Sequence, residues 1–215
     1  MNVYFISGLG ADCRIFDHIS LPNGFTKVYL DWIKPIKRES LEAYAIRLAE
    51  NIEHKEKFVL IGLSMGGMVA TEIAAKYQPK LTILISSVPS SNNLPARFKT
   101  VYKLRLHKLV PISLIKAGTV VKRLFTIETQ KDKALLRRII KDSDPVFIRW
   151  AMNAILEWDH SPTVPSLYHI HGSRDEILPL RFTKPSHIID GGTHMMVITK
   201  ATEINNLINE ALVKL

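Results

Sequence analysis

The tightest constraint on this chain lies at Lys57-Phe58-Val59-Leu60-Ile61-Gly62-Leu63-Ser64-Met65-Gly66-Gly67. It begins as an unbroken apolar run, the pattern of a strand buried on both faces. Beyond it, Met68, Val69, Thr71, Glu72, Ile73, Ala74 and Ala75 are mostly good helix formers. Between the two, Gly62-Leu63-Ser64-Met65-Gly66 matches G-x-S-x-G. A strand that passes into a helix through a tight turn at a serine is a nucleophile elbow. Glycine suits positions 62 and 66 because a side chain at either would collide across so sharp a turn. The turn predicts a strained backbone at Ser64, with its hydroxyl raised above the sheet edge. There it meets a helix N-terminus, where free N–H groups and the helix dipole favour negative charge. An ordinary Gly-Ser turn is the simpler reading of five such residues, and the flanking strand and helix are what favour the elbow.

The rest of the chain supplies a frame for that turn. Val3–Ile6 reads as a buried strand ending in the glycine-rich loop Ser7-Gly8-Leu9-Gly10-Ala11-Asp12. Phe16, Ile19 and Leu21 lie on a short segment, and residues 27–32 read as a second strand. Ser40 is a plausible N-cap for a helix with Leu41, Tyr44, Ala45, Leu48, Ala49 and Ile52 at helical spacing. The elbow helix ends near Tyr77-Gln78-Pro79, and residues 81–87 form a further buried strand. This alternation argues for an α/β fold, a mostly parallel sheet with helices on both faces. It breaks at residues 88–95, rich in Pro, Ser and Asn. Three helical stripes follow: Phe98, Val101, Tyr102, Leu106 and Leu109; then Leu135, Leu136, Ile139 and Ile140; then Phe147, Trp150, Ala151, Ala154, Ile155 and Trp158. Strands return at 166–171 and 187–190, and a helix closes the chain from about Ala201 to Val213. The expected organisation is a core of residues 1–89 and 160–215 with a helical lid, residues 90–159, over the sheet edge where ligands bind in such folds.

A serine hydroxyl needs an adjacent base to act as a nucleophile at neutral pH. Of the eight histidines, His194 is the best placed, in the Asp190-Gly191-Gly192-Thr193-His194 loop after the last strand. His187 starts that strand and belongs at the opposite end of the sheet; His169 and His171 alternate along a strand. His18, His54, His107 and His160 fall on helices or connections and read as surface or satisfied residues. The acid that would orient the base is expected at Asp175, early in the loop after the penultimate strand. Glu176 is the next candidate, with Asp31 and Asp190 less well placed. A tetrahedral oxyanion needs two donors: the backbone N–H of Met65 and, from the Gly8-Leu9-Gly10 loop, that of Leu9.

Composition adds bounds. A chain of 215 residues that is 47% apolar can bury one sizeable core. The single cysteine, Cys13, excludes an internal disulfide and fits a reducing compartment. No stretch reads as a signal peptide or a membrane span, so the expected location is the cytoplasm. The net charge is +9, and residues 90–160 hold 14 Lys and Arg against 6 Asp and Glu, a net +8. A solvated lysine-rich surface is the ordinary reading of such a segment; docking on an anionic membrane surface is the alternative. Nucleic-acid binding has only charge in its favour, with no recognition motif. No metal or cofactor is implied.

Taken together, Ser7-Gly8-Leu9-Gly10, Gly62-Leu63-Ser64-Met65-Gly66-Gly67, His171-Gly172-Ser173-Arg174-Asp175 and Gly192-Thr193-His194 resemble the α/β-hydrolase family over essentially the whole chain outside residues 90–160. The resemblance implies Ser64 as nucleophile, His194 as base, Asp175 as acid, and Leu9 and Met65 as oxyanion donors. Two departures stand out. Members often carry His-Gly before the oxyanion loop, where this chain has Ser7-Gly8. The family's leading strands have no counterpart before Val3, which implies about six strands and a new sheet edge that a partner subunit in a homo-oligomer could cover. Relatives that open epoxides or displace halide use aspartate at the elbow; a serine implies acyl transfer to water from an ester, thioester or amide. A small carboxylic ester is the expected substrate, with an apolar acyl group and, from basic residues such as Lys103, Arg105 and Lys108, an anionic end. The competing class is a small-ligand binding or sensor protein on the same fold.

Overall fold

The structure is a computed structural model that describes residues 1–104, 111, 113 and 129–215. Arg105, Leu106, His107, Lys108 and Leu109 lie outside the described residues. Six strands form one sheet: β1 (Asn2–Ile6), β2 (Thr26–Tyr29), β3 (Phe58–Leu63), β4 (Leu81–Ile85), β5 (Leu167–Gly172) and β6 (His187–Ile189). Their order is β2-β1-β3-β4-β5-β6 and every neighbouring pair is parallel. All loops that leave strand C-termini therefore emerge at one edge, and β3 delivers Ser64 between the loops after β1 and β4.

Side-chain alternation sends each strand's residues to two cores. Tyr4, Ile6, Phe58 and Leu60 pack on one face with α1 (Leu41–Leu48) and α2 (Met65–Tyr77). Val3, Phe5, Val59 and Ile61 pack on the other with α6 (Met196–Thr199) and α7 (Ala201–Val213). Because both faces are covered, all six residues of β3 are buried, which is why that strand reads as a continuous apolar run. Ser40 caps α1, its hydroxyl accepting the Ala43 N–H at 3.1 Å. Gln78 ends α2 in the left-handed region (φ 47°) with Pro79 next.

Between β4 and β5 lie α3 (Ala96–Lys103), α4 (Gln130–Asp142) and α5 (Pro145–Glu157). Asp144 caps α5, accepting the Val146 N–H at 2.8 Å, with Pro145 in the first turn. Of the expected stripes, Leu136, Ile139 and Ile140 on α4, Phe147, Ala151, Ala154 and Ile155 on α5, and the following Trp158 are buried, while Phe98, Val101, Leu135 and Trp150 are half-buried. Two local readings differ. Strand β2 stops at Tyr29 because Trp32 leaves the sheet to pack on Phe147, ring centroids 4.9 Å apart. Helix α6 spans four residues, too few to show a period. Among the described residues no helix is long and apolar enough to cross a membrane.

The segment between β4 and β5 meets α2 at a buried carboxylate. Glu72 of α2, 2% exposed, accepts the Trp158 indole N–H at 2.6 Å and the His160 Nδ1–H at 2.7 Å. Beside it, the Ser91 N–H bonds the His160 carbonyl at 3.0 Å and Ser161 Oγ pairs with Ser90 Oγ at 2.8 Å, so the stretches just after β4 and before β5 are tied together. The hydrogen bond to Glu72 raises the His160 pKa above its ordinary 6.5, more than burial lowers it. A group whose folded pKa is raised stabilises fully below its unfolded pKa and loses that stabilisation as pH rises through the folded value. Thermal melts should therefore show a Tm that declines as pH rises above 6.5, and His160→Gln should flatten that decline. Parallel pH profiles for the two proteins would contradict the assignment.

Candidate active site

The elbow is built from close approaches that only glycine allows. A Cβ on Gly62 would lie 2.5 Å from Gly66 O and Gly67 Cα, and one on Gly66 would strike the Ile6 and Ser7 carbonyls. The helix thus starts directly above the strand, and Ser64 between them takes φ 52°, ψ −119°. Such a conformation costs a non-glycine residue about 1–3 kcal/mol and persists only where neighbours over-determine it. They do so here: the Ser64 N–H bonds the Ile85 carbonyl at 3.0 Å, and the Ser64 carbonyl accepts the Gly67 N–H at 2.9 Å and the Ser87 hydroxyl at 2.6 Å. Ser87 is wholly buried, and nothing in the sequence pattern marks it.

The loops after β5 and β6 meet through Gly172, whose missing side chain leaves room for the Gly192 backbone. The Arg174 N–H bonds the Gly192 carbonyl at 2.9 Å. This brings together the three side chains singled out from the sequence. Asp175 Oδ2 accepts the His194 Nδ1–H at 2.8 Å, and with that proton on Nδ1 the opposite Nε2 accepts the Ser64 hydroxyl at 2.9 Å. Asp175 Oδ1 accepts the Ile177 and Leu178 N–H groups, both at 2.9 Å. Burial is the largest influence on Asp175 and opposes its ionisation, yet the bonds from His194 and Leu178 together hold its pKa below the ordinary carboxylate value. Asp175 is thus an anion beside the ring throughout the neutral range. The alternative acids lie apart: Glu176 is exposed, and Asp190 accepts the Ser173 hydroxyl at 3.0 Å.

Behind Asp175 is a feature that strand alternation alone did not reveal. His171 Nε2–H donates to the Leu178 carbonyl at 2.7 Å and lies 3.6 Å from Asp175 Oδ2. Its Nδ1 faces His169 Nε2 at 3.3 Å, and burial drives the His169 pKa down to about 3. The pair is therefore a neutral, buried prop for the acid loop. His187 sits at the start of β6, away from this edge.

The loop after β1 lies against the serine: a Cβ on Gly8 would be 3.5 Å from Ser64 Cβ. The Ala11 N–H bonds the Gly8 carbonyl at 3.0 Å, with Gly10 at φ 69°. Ser7, where relatives often carry histidine, supports this turn through its hydroxyl on the Ala11 carbonyl at 2.9 Å, joined there by the Trp32 indole at 3.0 Å. Met65 opens α2, so its N–H has no acceptor within the helix. Above the serine is a cavity of about 440 Å³. Apart from Ser64 and His194, the described residues of its lining are apolar side chains and glycine backbone, including Leu9, Met68, Phe98 and Leu136. Among the described residues no group of three or more His, Cys, Asp or Glu side chains is arranged to hold a metal ion.

A family model described as "Alpha/beta hydrolase family" matches residues 3–207. The chain belongs to the alpha/beta hydrolase family. Among solved structures, this hydrolase-family chain is similar to a malate-bound thermophilic esterase from Thermogutta terrifontis, at 21% identity and TM-score 0.79, covering 100% of this chain and 90% of that one. It is likewise similar to MenH from S. aureus, at 16% identity and TM-score 0.77, covering 100% and 94%. The enol-lactonase of Burkholderia xenovorans LB400 is similar at 16% identity and TM-score 0.76, covering 99% and 91%. These likenesses show the fold; none of the curated proteins matches the sequence.

Ser87→Ala should lower Tm by about 2–4 °C, from about 1 kcal/mol lost with its bond to the Ser64 carbonyl. An unchanged Tm would show that the elbow does not depend on this hydroxyl.

Proposed function

We propose that this alpha/beta hydrolase family member is a serine hydrolase that cleaves a small carboxylic ester through an acyl-enzyme. The observation that carries the reading is the unbroken chain Ser64 Oγ–His194 Nε2 and His194 Nδ1–Asp175 Oδ2, at 2.9 and 2.8 Å, opening on an apolar cavity. Ser64 Oγ attacks the acyl carbon as His194 takes its proton, and the carbonyl electrons move onto oxygen. The Leu9 and Met65 N–H groups stabilise that oxyanion; its collapse expels the alcohol, which receives the proton from His194. Water, deprotonated by the same ring, then attacks the acyl carbon; the acyl–Ser64 Oγ bond breaks, His194 returns the proton to Oγ, and the acid leaves. Asp175 keeps the ring in the Nδ1–H tautomer and stabilises the imidazolium.

The substrate's acyl part is apolar, by the cavity's lining. Of the basic residues that favour an anionic acyl end, Lys103 is exposed and Arg105 and Lys108 lie outside the described residues. The inserted helices serve as the lid: Phe98, Leu136, Ile140, Met152 and Ile155 come from them and wall the cavity.

A panel of p-nitrophenyl esters of increasing acyl length tests this. Turnover should appear with apolar acyl groups, and Ser64→Ala should reduce kcat/KM by about 1000-fold or more. Tight binding without turnover would favour the sensor reading. Turnover that survives the substitution would remove Ser64 from the mechanism.

A further inference from the structure

Resting on the reading of Ser64 as nucleophile, we propose that Ser143 is a positioning residue for the Leu9 oxyanion donor. Seating α4 over the cavity and completing the oxyanion hole are then one event. The orientation of the Leu9 N–H is set by its own peptide group. That peptide is trans, so the Leu9 N–H points opposite to the Gly8 carbonyl, and the Gly8 carbonyl is fixed by the Ala11 N–H at 3.0 Å. The turn survives only while Gly10 and Ala11 are held. The core holds Ala11, whose carbonyl accepts Ser7 Oγ at 2.9 Å and Trp32 Nε1 at 3.0 Å. The insertion holds Gly10, whose carbonyl accepts Ser143 Oγ at 2.6 Å.

Ser143 is the half-buried residue that ends α4. That helix lies along the same loop at both ends. Asp142 bonds Arg14 Nη2 at 2.8 Å, and that guanidinium also grips Asp12 at 2.6 Å. At the other end Asp132 Oδ1 lies 3.1 Å from His18 Nε2. Between them Leu136 and Ile140 face the cavity beside Ile15 of the loop.

The Ser143 hydroxyl has two acceptors and one proton. Besides Gly10 O it reaches Ile139 O, one turn back in its own helix, at 2.9 Å. When α4 is seated the proton goes to the closer Gly10 carbonyl; when α4 withdraws it turns to Ile139, so the Ser143 hydroxyl itself is never left without an acceptor. The loop does lose one, at a glycine, the residue whose backbone rotates most freely. The oxyanion donor is thereby loosened whenever the cavity is open to water.

The test combines kinetics on the best p-nitrophenyl ester with hydrogen–deuterium exchange of residues 7–12, in wild type, Ser143→Ala and Ser143→Thr. Complete loss of one oxyanion donor costs about 100- to 1000-fold in kcat; a loosened one should cost about 10- to 100-fold with KM nearly unchanged. Exchange in the loop should quicken in Ser143→Ala, and Ser143→Thr should restore both readouts. Unchanged kcat and unchanged exchange in Ser143→Ala would overturn the proposal. A wild type that turns over no ester would overturn the hydrolase reading instead, and loop exchange alone would then decide whether Ser143 holds the turn. If Ser143→Ala does not fold, Asp142→Asn, which frees the same end of α4 from Arg14, is read in its place: quickened exchange supports the coupling and unchanged exchange overturns it.

Discussion

The whole site depends on how closely α2 can start above β3. At Gly62, Gly66 and Gly67 a methyl group would meet backbone or the Ser87 side chain within 2.5 Å or less. That contact forces Ser64 to φ 52° and lifts its hydroxyl clear of the sheet. Everything else is arranged to hold the strained turn: two neighbouring strands, a buried hydroxyl on the Ser64 carbonyl, and a helix buried along most of its length. The energy for the strain comes from burying β3 and α2 on both faces, where apolar contacts far outweigh one unfavourable dihedral.

Given that anchor, the parallel sheet decides which loops can cooperate. With order β2-β1-β3-β4-β5-β6, the loops after β1, β5 and β6 share the edge at which Ser64 emerges. Asp175 and His194 are 19 residues apart in the chain, and His194 and Ser64 are 130 apart. Yet each sits at the C-terminal end of its strand, and the glycines at 172 and 192 let the last two loops touch. A parallel sheet converts sequence separation into spatial convergence, as the family's fold requires.

Much of this arrangement is legible in the sequence. G-x-S-x-G between an apolar run and a helix marks a turn whose geometry leaves few alternatives, and Ser40, Pro79 and the glycine-rich loops punctuate the frame. The candidate base and acid could be chosen among eight histidines and several carboxylates because only loop ends on one edge qualify. What lay hidden were contacts between distant segments. Ser87 beneath the elbow, His171 behind Asp175, Ser143 against Gly10, and Glu72 joining Trp158 to His160 have no local pattern, since each depends on packing between elements far apart in sequence. The end of β2 departs from the sequence pattern for the same reason: Trp32 suits a strand by composition, but the aromatic cluster with Tyr44 and Phe147 draws it away.

The proposed chemistry requires that His194 make the alcohol at position 64 nucleophilic. Mass spectrometry after exposure to a serine-directed fluorophosphonate measures this directly, without knowledge of the natural substrate. Modification should fall on the peptide carrying Ser64 and be lost in a folded His194→Ala protein. Labelling elsewhere, or labelling of Ser64 that is indifferent to the loss of the imidazole, would contradict it.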